Sequence, residues 1–126
     1  MKMFEKNKIE ISKILDSEEV FKKIVLAIKN LMMSDVHISK LGVGGEYYKN
    51  YYDIMEDVIN DDKNQIFYAK NITFSSFGQY IKQNMCNYGI YFHLKKDRIF
   101  ITIFCGNGFL LEKNQQNFIE KFVSTN

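Results

Sequence analysis

The chain contains no proline, no tryptophan and a single arginine, Arg98, among its 126 residues. Lysine, asparagine and isoleucine abound instead, a bias that points to an AT-rich gene more than to a physical need. The shortage of arginine still has a physical consequence. Only a guanidinium offers the flat fork that grips phosphate or carboxylate through two parallel N–H groups, so bidentate clamps are almost unavailable. Cysteine is scarce too. Cys86 and Cys105 lie far apart and form no metal-binding spacing. A disulfide between them is conceivable, and buried free thiols in a reducing compartment are the expected state. No apolar run reaches the ~18 residues that a membrane span needs. The first residues, Met1 to Lys13, alternate charge with hydrophobe and lack the continuous apolar core of a secretion signal. The expected location is the cytoplasm. An excess of one charge is missing as well: the formal net charge is +2. This argues against a dedicated nucleic-acid binder, which usually carries a strong basic surplus.

Catalytic signatures are also lacking. There is no HExxH, no CxxC, no GxSxG and no calcium-loop pattern. Gly42-Val43-Gly44-Gly45 lacks the Lys-Ser/Thr of a phosphate loop and reads as a flexible turn. Asp53, Asp57 and Asp61 fall at i, i+4 and i+8, which reads as a solvated acidic face rather than a metal cluster. No cofactor and no metal is expected.

What is present is hydrophobic material, 46% of the chain, with 15% aromatic residues, enough to exclude disorder and to build a core in a single domain spanning 1–126. The clearest element is Tyr88–Cys105, which predicts a β-hairpin with Lys96-Asp97 at its tip. In that register Leu94 faces Ile99, His93 faces Phe100, Phe92 faces Ile101, Tyr91 faces Thr102 and Ile90 faces Ile103. Because side chains alternate between faces, one face collects Ile90, Phe92, Leu94, Ile99, Ile101 and Ile103. The other collects Tyr91, His93, Lys95, Arg98, Phe100, Thr102 and Phe104. A one-residue slip would mix the two sets, so the pattern fixes the pairing. An isolated hairpin is not stable in water, so other elements must cover the oily face.

Residues 3–15 predict a helix, with a strand over Lys8–Ile11 as the alternative. Ser17, with Glu18 and Glu19 behind it, opens a helix over 17–33 whose apolar face is Val20, Phe21, Ile24, Val25, Ile28, Leu31 and Met32. Residues 35–45 predict a bulged strand that Gly42, Gly44 and Gly45 terminate. Residues 46–60 predict an amphipathic helix. Tyr47, Tyr51, Ile54, Met55 and Val58 share one face, Tyr48, Tyr52 and Ile59 flank it, and Glu46, Lys49, Asn50, Asp53, Glu56 and Asp57 lie opposite. Asp61 and Asp62 extend the acidic run. Carboxylates at a helix C-terminus oppose its dipole, which suggests that they serve something other than the helix. Gln65–Phe74 predicts a strand. A short helix follows Ser75-Ser76, with Phe77, Tyr80, Ile81 and Met85 inward, and a last helix starts near Leu111, with Leu111, Phe118, Ile119, Phe122 and Val123 inward. The expected fold is α+β: an antiparallel sheet of three to four strands with a central hairpin at about 88–105 and about five helices packed on it.

Function must come from surface character. If helices cover only the aliphatic face of the hairpin, then Tyr91, His93, Phe100 and Phe104 form an exposed aromatic face; if both faces are packed, they are core. Tyrosines beside carboxylates on 46–60 add a second contact surface. In this general character, a compact chain with AT-rich composition, no catalytic motif and an acidic-aromatic surface, the chain resembles the bacterial immunity proteins of contact-dependent inhibition and related toxin systems. The resemblance implies a protein partner, a cognate toxin that is a nuclease, neutralised by occlusion without direct contact to nucleic acid or membrane. Asp53, Glu56, Asp57, Asp61 and Asp62 then stand in for phosphates, with Tyr47, Tyr48, Tyr51, Tyr52, Tyr91 and His93 at the contact. The alternative is a small RNase-like enzyme using His37 and His93 with Lys95 or Tyr91 as acid-base groups.

Overall fold

The computed structural model describes residues 2–32 and 38–125. Its strands are β1 (Lys8–Glu10), β2 (Ser39–Gly45), β3 (Asn64–Tyr68), β4 (Tyr88–Lys95) and β5 (Arg98–Cys105). Its helices are α1 (Ser17–Met32), α2 (Lys49–Ile59), α3 (Phe74–Gln83) and α4 (Lys113–Thr125), and a 3-10 turn spans Ile11–Lys13. The fold is α+β, built on one five-stranded sheet in the order β1-β5-β4-β2-β3.

The hairpin has the predicted register at every pair from Lys95↔Arg98 to Tyr88↔Cys105. Its tip residues Lys96 and Asp97 have φ of 50° and 64°, the left-handed pair that a two-residue turn needs to match strand twist. The sheet is otherwise mixed rather than antiparallel. β4 runs parallel to β2, and β2 runs parallel to β3. The cause is the alternation of strand and helix from β2 to β4: each helix carries the chain back to the end from which it started. The two crossovers step across the sheet in opposite directions, so a shared handedness puts α2 and α3 on opposite faces.

The N-terminal segment pairs as a strand with β5, Ile9 opposite Ile101, so the alternative strand over Lys8–Ile11 forms and the helix over 3–15 does not. Ile9 and Ile11 are fully buried, so period two wins over period 3.6 there. Four α-helices thus stand among the described residues where five were expected. The strand predicted over 65–74 ends at Tyr68, and Phe74 already belongs to α3. Thr73, not the serine pair, is the N-cap of α3. The start of α1 is as predicted, but the Ser17 hydroxyl pairs with the Tyr51 hydroxyl at 3.0 Å. The prediction for residues 35–37 lies outside the described residues.

Gly42 and Gly44 do not terminate β2; they lie within it. A Cβ at Gly42 would meet the tip of Ile81, and one at Gly44 would lie 2.8 Å from the Phe77 ring. The strand is glycine-rich because α3 sits directly on it. Only Gly45, with φ of 89°, turns the chain away.

Both faces of the sheet are covered, unequally. Ile90, Phe92, Ile101 and Ile103 are buried in the main core with Phe21, Ile24, Ile28, Met55 and Ile119 from α1, α2 and α4. Near the hairpin tip Leu94 is 53% exposed, while Ile99 is half-buried against the main core. On the opposite face a smaller core joins Phe77, Ile81 and Cys86 to Tyr91 and Phe104. Met85, predicted inward on α3, is exposed, and so is Phe118 on α4, where Gln116 is buried instead. Among the described residues no helix is long and apolar enough to cross a membrane.

Candidate functional site

The parallel strands β2 and β3 end side by side, and their carboxyl ends open into a cleft of about 430 Å³. Crevices of this kind, outside the carboxyl ends of parallel strands, are where such sheets most often bind ligands. Its walls come from the loop before α2, from α2 itself and from the end of β3. Tyr47, Tyr52 and Tyr68 supply the rings, and Asp53 and Glu56 supply carboxylates.

The rings are ordered from the core outward. Phe92, fully buried at the centre of the sheet, meets Tyr52 at 5.3 Å between centroids. Tyr68 stacks on Tyr52 at 5.7 Å with an interplanar angle of 13°. Tyr47 meets Tyr52 edge-on at 4.7 Å and 72° and stays 65% exposed. Two hydroxyls are fixed by acceptors. Tyr52 donates to the Glu46 carbonyl at 3.0 Å, and Tyr68 donates to Glu56 Oε1 at 2.6 Å. Burial, helped by the Glu46 charge, pushes the Tyr52 hydroxyl up to about 12. Burial and the Glu56 carboxylate likewise hold the Tyr68 hydroxyl well above the usual phenol range. Burial is the larger cause of both shifts, and the Glu46 and Glu56 charges add to it.

The predicted acidic residues divide into two groups. Glu56, Asp57 and Asp62 are exposed, and Asp53 is exposed while paired with Lys49 at 2.6 Å. Asp61 is also exposed, but its carboxylate is tied to its own turn and to α1. It accepts the backbone N–H groups of Lys63 and Asn64 at 2.8 Å and pairs with Lys29 of α1 at 3.0 Å. These donors hold its carboxyl far below the usual carboxylate range, the Lys63 N–H acting most strongly. Lys29 also donates to the Val58 carbonyl at 2.8 Å, so α1 supplies the cation that the C-terminus of α2 lacks in its own sequence. At Asp61, then, the carboxylate serves the turn into β3.

The predicted tyrosines divide as well. Tyr51 is buried in the core, against Phe21 at 4.9 Å. Tyr48 packs on Phe92, and its buried hydroxyl has no hydrogen-bond partner among the described residues. Tyr52, predicted to flank the apolar stripe, is buried and forms the floor of the cleft. Tyr68 and Glu46 did not stand out in the sequence. The signal available was a tyrosine ending a strand just after an acidic helix, but nothing in one dimension sets Tyr68 beside Glu56.

A second surface lies at the part of the sheet that α3 leaves open. His93 is half-buried between Phe74 and Tyr91, with ring centroids at 4.8 and 4.9 Å. Its Nε2 pairs with Thr102 Oγ1 at 2.9 Å. Tyr91 is buried and donates to the Ile72 carbonyl at 2.9 Å, which makes it a packing group. Beside them Lys8 and Arg98 both sit over the Phe100 ring at 5.4 Å, and Glu10 holds Arg98 through Nε at 2.6 Å and through a second N–H group. Burial, with Lys8 nearby, holds the His93 imidazole below its ordinary value. Among the described residues no carboxylate hydrogen-bonds that ring, and His37 lies outside them. Neutral His93 is the favoured form in the fold, so stability should fall as pH drops from 7.5 to 5.5, where the unfolded chain takes up a proton that the native one resists. Urea unfolding across that range should show a shallower pH slope for His93→Gln than for the wild type; identical slopes would contradict the shift.

The thiols offer little chemistry. Cys86 and Cys105 are free, and burial pushes both above the ordinary thiol range, which leaves them protonated near neutral pH. Among the described residues no group of three or more histidine, cysteine, aspartate or glutamate side chains is placed to hold a metal ion. No protein-family model matches this chain, and the curated proteins compared with it yield no match.

Proposed function

We propose that this chain is a small binding protein that neutralises a cognate toxin, a nuclease, by covering its basic active site with the acidic, tyrosine-lined side of α2. One observation supports the reading above the others: exposed carboxylates at Asp53, Glu56 and Asp57 stand beside a cleft walled by Tyr47, Tyr52 and Tyr68. Tyrosine gives a rigid amphipathic contact at low entropic cost, and contacts of this kind dominate protein interfaces. The carboxylates then occupy the positions that nucleic-acid phosphates would take against the toxin's lysines and arginines. Like-signed partners are rejected, and an oppositely charged one is steered in. Asp61, tied into its turn, takes no part in this contact, and neither does the buried hydroxyl of Tyr48.

Co-expression tests the reading. The chain should protect a bacterial host against the polypeptide encoded beside its gene. Glu56→Lys with Asp57→Lys should abolish protection while leaving the fold intact, since both residues are exposed. Charge reversal at Lys95 and Lys96 on the hairpin tip should leave protection unchanged. Protection that survives the first pair, or a neighbour that does not arrest growth, would overturn the proposal.

A further inference from the structure

We infer that the tyrosine cleft is a receptor for one arginine side chain of a protein partner, a guanidinium lying on the Tyr68 and Tyr47 rings with its N–H groups on Glu56 and Asp53. The inference deepens the binding reading by naming the group that the cleft takes.

Four features of the cleft converge on that ligand. Three tyrosine rings line it, with Val43 and Ala69 as its aliphatic side chains, and a cation is attracted to the face of such a ring. Its carboxylates have unused capacity. Tyr68 takes Oε1 of Glu56 and Lys49 takes Oδ2 of Asp53, while Glu56 Oε2 and Asp53 Oδ1 have no donor among the described residues. Asp53 and Glu56 stand three residues apart on α2, so their side chains emerge as neighbours on one helix face. A guanidinium has five donors in a planar fork and can serve two neighbouring carboxylates, whereas an ammonium is a compact, strongly hydrated point charge. Negative charge also stands beside the rings, Glu46 near Tyr52 and Glu56 near Tyr68, and it adds to burial in raising the two hydroxyls. Lys70 is a cation on the rim, exposed at the end of β3, and it opposes the ligand without occupying either free oxygen.

The cleft is also pre-formed. Phe92 and the Glu46 carbonyl hold Tyr52, and Glu56 holds Tyr68, so little side-chain freedom remains to be lost on binding. Tyr47, the exposed ring, is the one that can close over a bound side chain.

The test is titration of the isolated chain, followed by aromatic carbon–proton NMR, with N-acetyl-argininamide as the probe. Saturable shifts confined to Tyr47, Tyr52 and Tyr68 are expected. N-acetyl-lysinamide should bind more weakly, and N-acetyl-glutaminamide should give no saturable shift. Glu56→Gln keeps an acceptor for Tyr68 and removes the charge, and it should weaken the arginine probe about tenfold. Tyr47→Ala should weaken it about threefold. Both positions are exposed, so an unchanged unfolding midpoint shows that the loss is at the site. Equal shifts from the glutamine probe, or an unchanged affinity in Glu56→Gln, would overturn the inference. Free arginine adds an α-ammonium and an α-carboxylate whose charges cancel, so it should bind no better than the blocked form; tighter binding of free arginine would assign the cleft to a small molecule and overturn the inference too. No toxin enters this titration, so it and the protection assay fail separately.

Discussion

Phe92→Ala should lower the unfolding free energy by about 3–5 kcal/mol, measured by urea denaturation. Phe92 is fully buried in the main core. Its ring contacts Phe21 at 5.8 Å, Tyr48 at 5.9 Å, Tyr51 at 6.2 Å and Tyr52 at 5.3 Å. It therefore joins α1, the loop before α2 and α2 to the central strand. Truncation removes a large apolar area and leaves a cavity lined by rings too rigid to collapse into it. The effect should also reach the surface. Tyr52 would lose its support, and Tyr68, stacked on Tyr52, would lose its fixed position beside Glu56. The variant should thus bind the arginine probe less well even at temperatures where it is fully folded. A cost under about 1 kcal/mol would show that the aromatic cluster is not the centre of the core.

Gly45→Val should cost about 3 kcal/mol or more, an effect of backbone rather than of buried area. The residue has φ of 89°, a region that β-branched side chains avoid. A Cβ there would also collide with the carbonyl oxygen of Phe92. That carbonyl accepts the Glu46 N–H at 3.0 Å, so the chain cannot move aside without breaking the bond that leads it toward α2. Gly42→Ala offers a contrast. Its added Cβ meets the flexible end of Ile81, which can turn away, and the loss should be the smaller of the two. Thermal unfolding of both variants checks the order; a Gly45→Val protein as stable as Gly42→Ala would contradict it.

The hairpin was legible from residue order because a single register segregates Ile90, Phe92, Ile101 and Ile103 from Tyr91, His93 and Phe100. The period-two constraint is local, and no competing arrangement satisfies it. Long helices with clear apolar faces, such as 17–32, were legible for the same reason. Strand direction was not. Whether β2 runs with or against β4 depends on the route of the chain between them, which is set by the alternation of strand and helix from Ser39 to Lys95. The N-terminal strand stands in the sequence only as an alternative to a helix, because β1 has three residues, too few for a period to decide between the two. The glycines of β2 resemble a turn in the sequence because their cause lies in α3, at Ile81 and Phe77.

The candidate site was legible in kind but not in membership. An acidic, tyrosine-rich stretch at 46–60 was visible as composition. Which acids remain outward was not, because Lys29 of α1 and the Asn64 amide reach Asp61 from outside the stretch. Tyr68 joins the site only through the parallel pairing of β2 with β3. Tyr91, read as exposed contact area, is covered by α3, which packs on the second face of the sheet. His93 keeps its predicted place on that face, half-buried at the margin of the cover.

The central claim is that the carboxylates beside the tyrosine cleft draw in a basic protein. The most direct measurement is the association rate with the protein encoded beside this gene, taken over a range of ionic strength for the wild type and for Glu56→Lys with Asp57→Lys. The wild-type rate should be high at low salt and fall steeply as salt is added, and the reversed pair should start lower and fall little. Two superimposable curves would contradict the account.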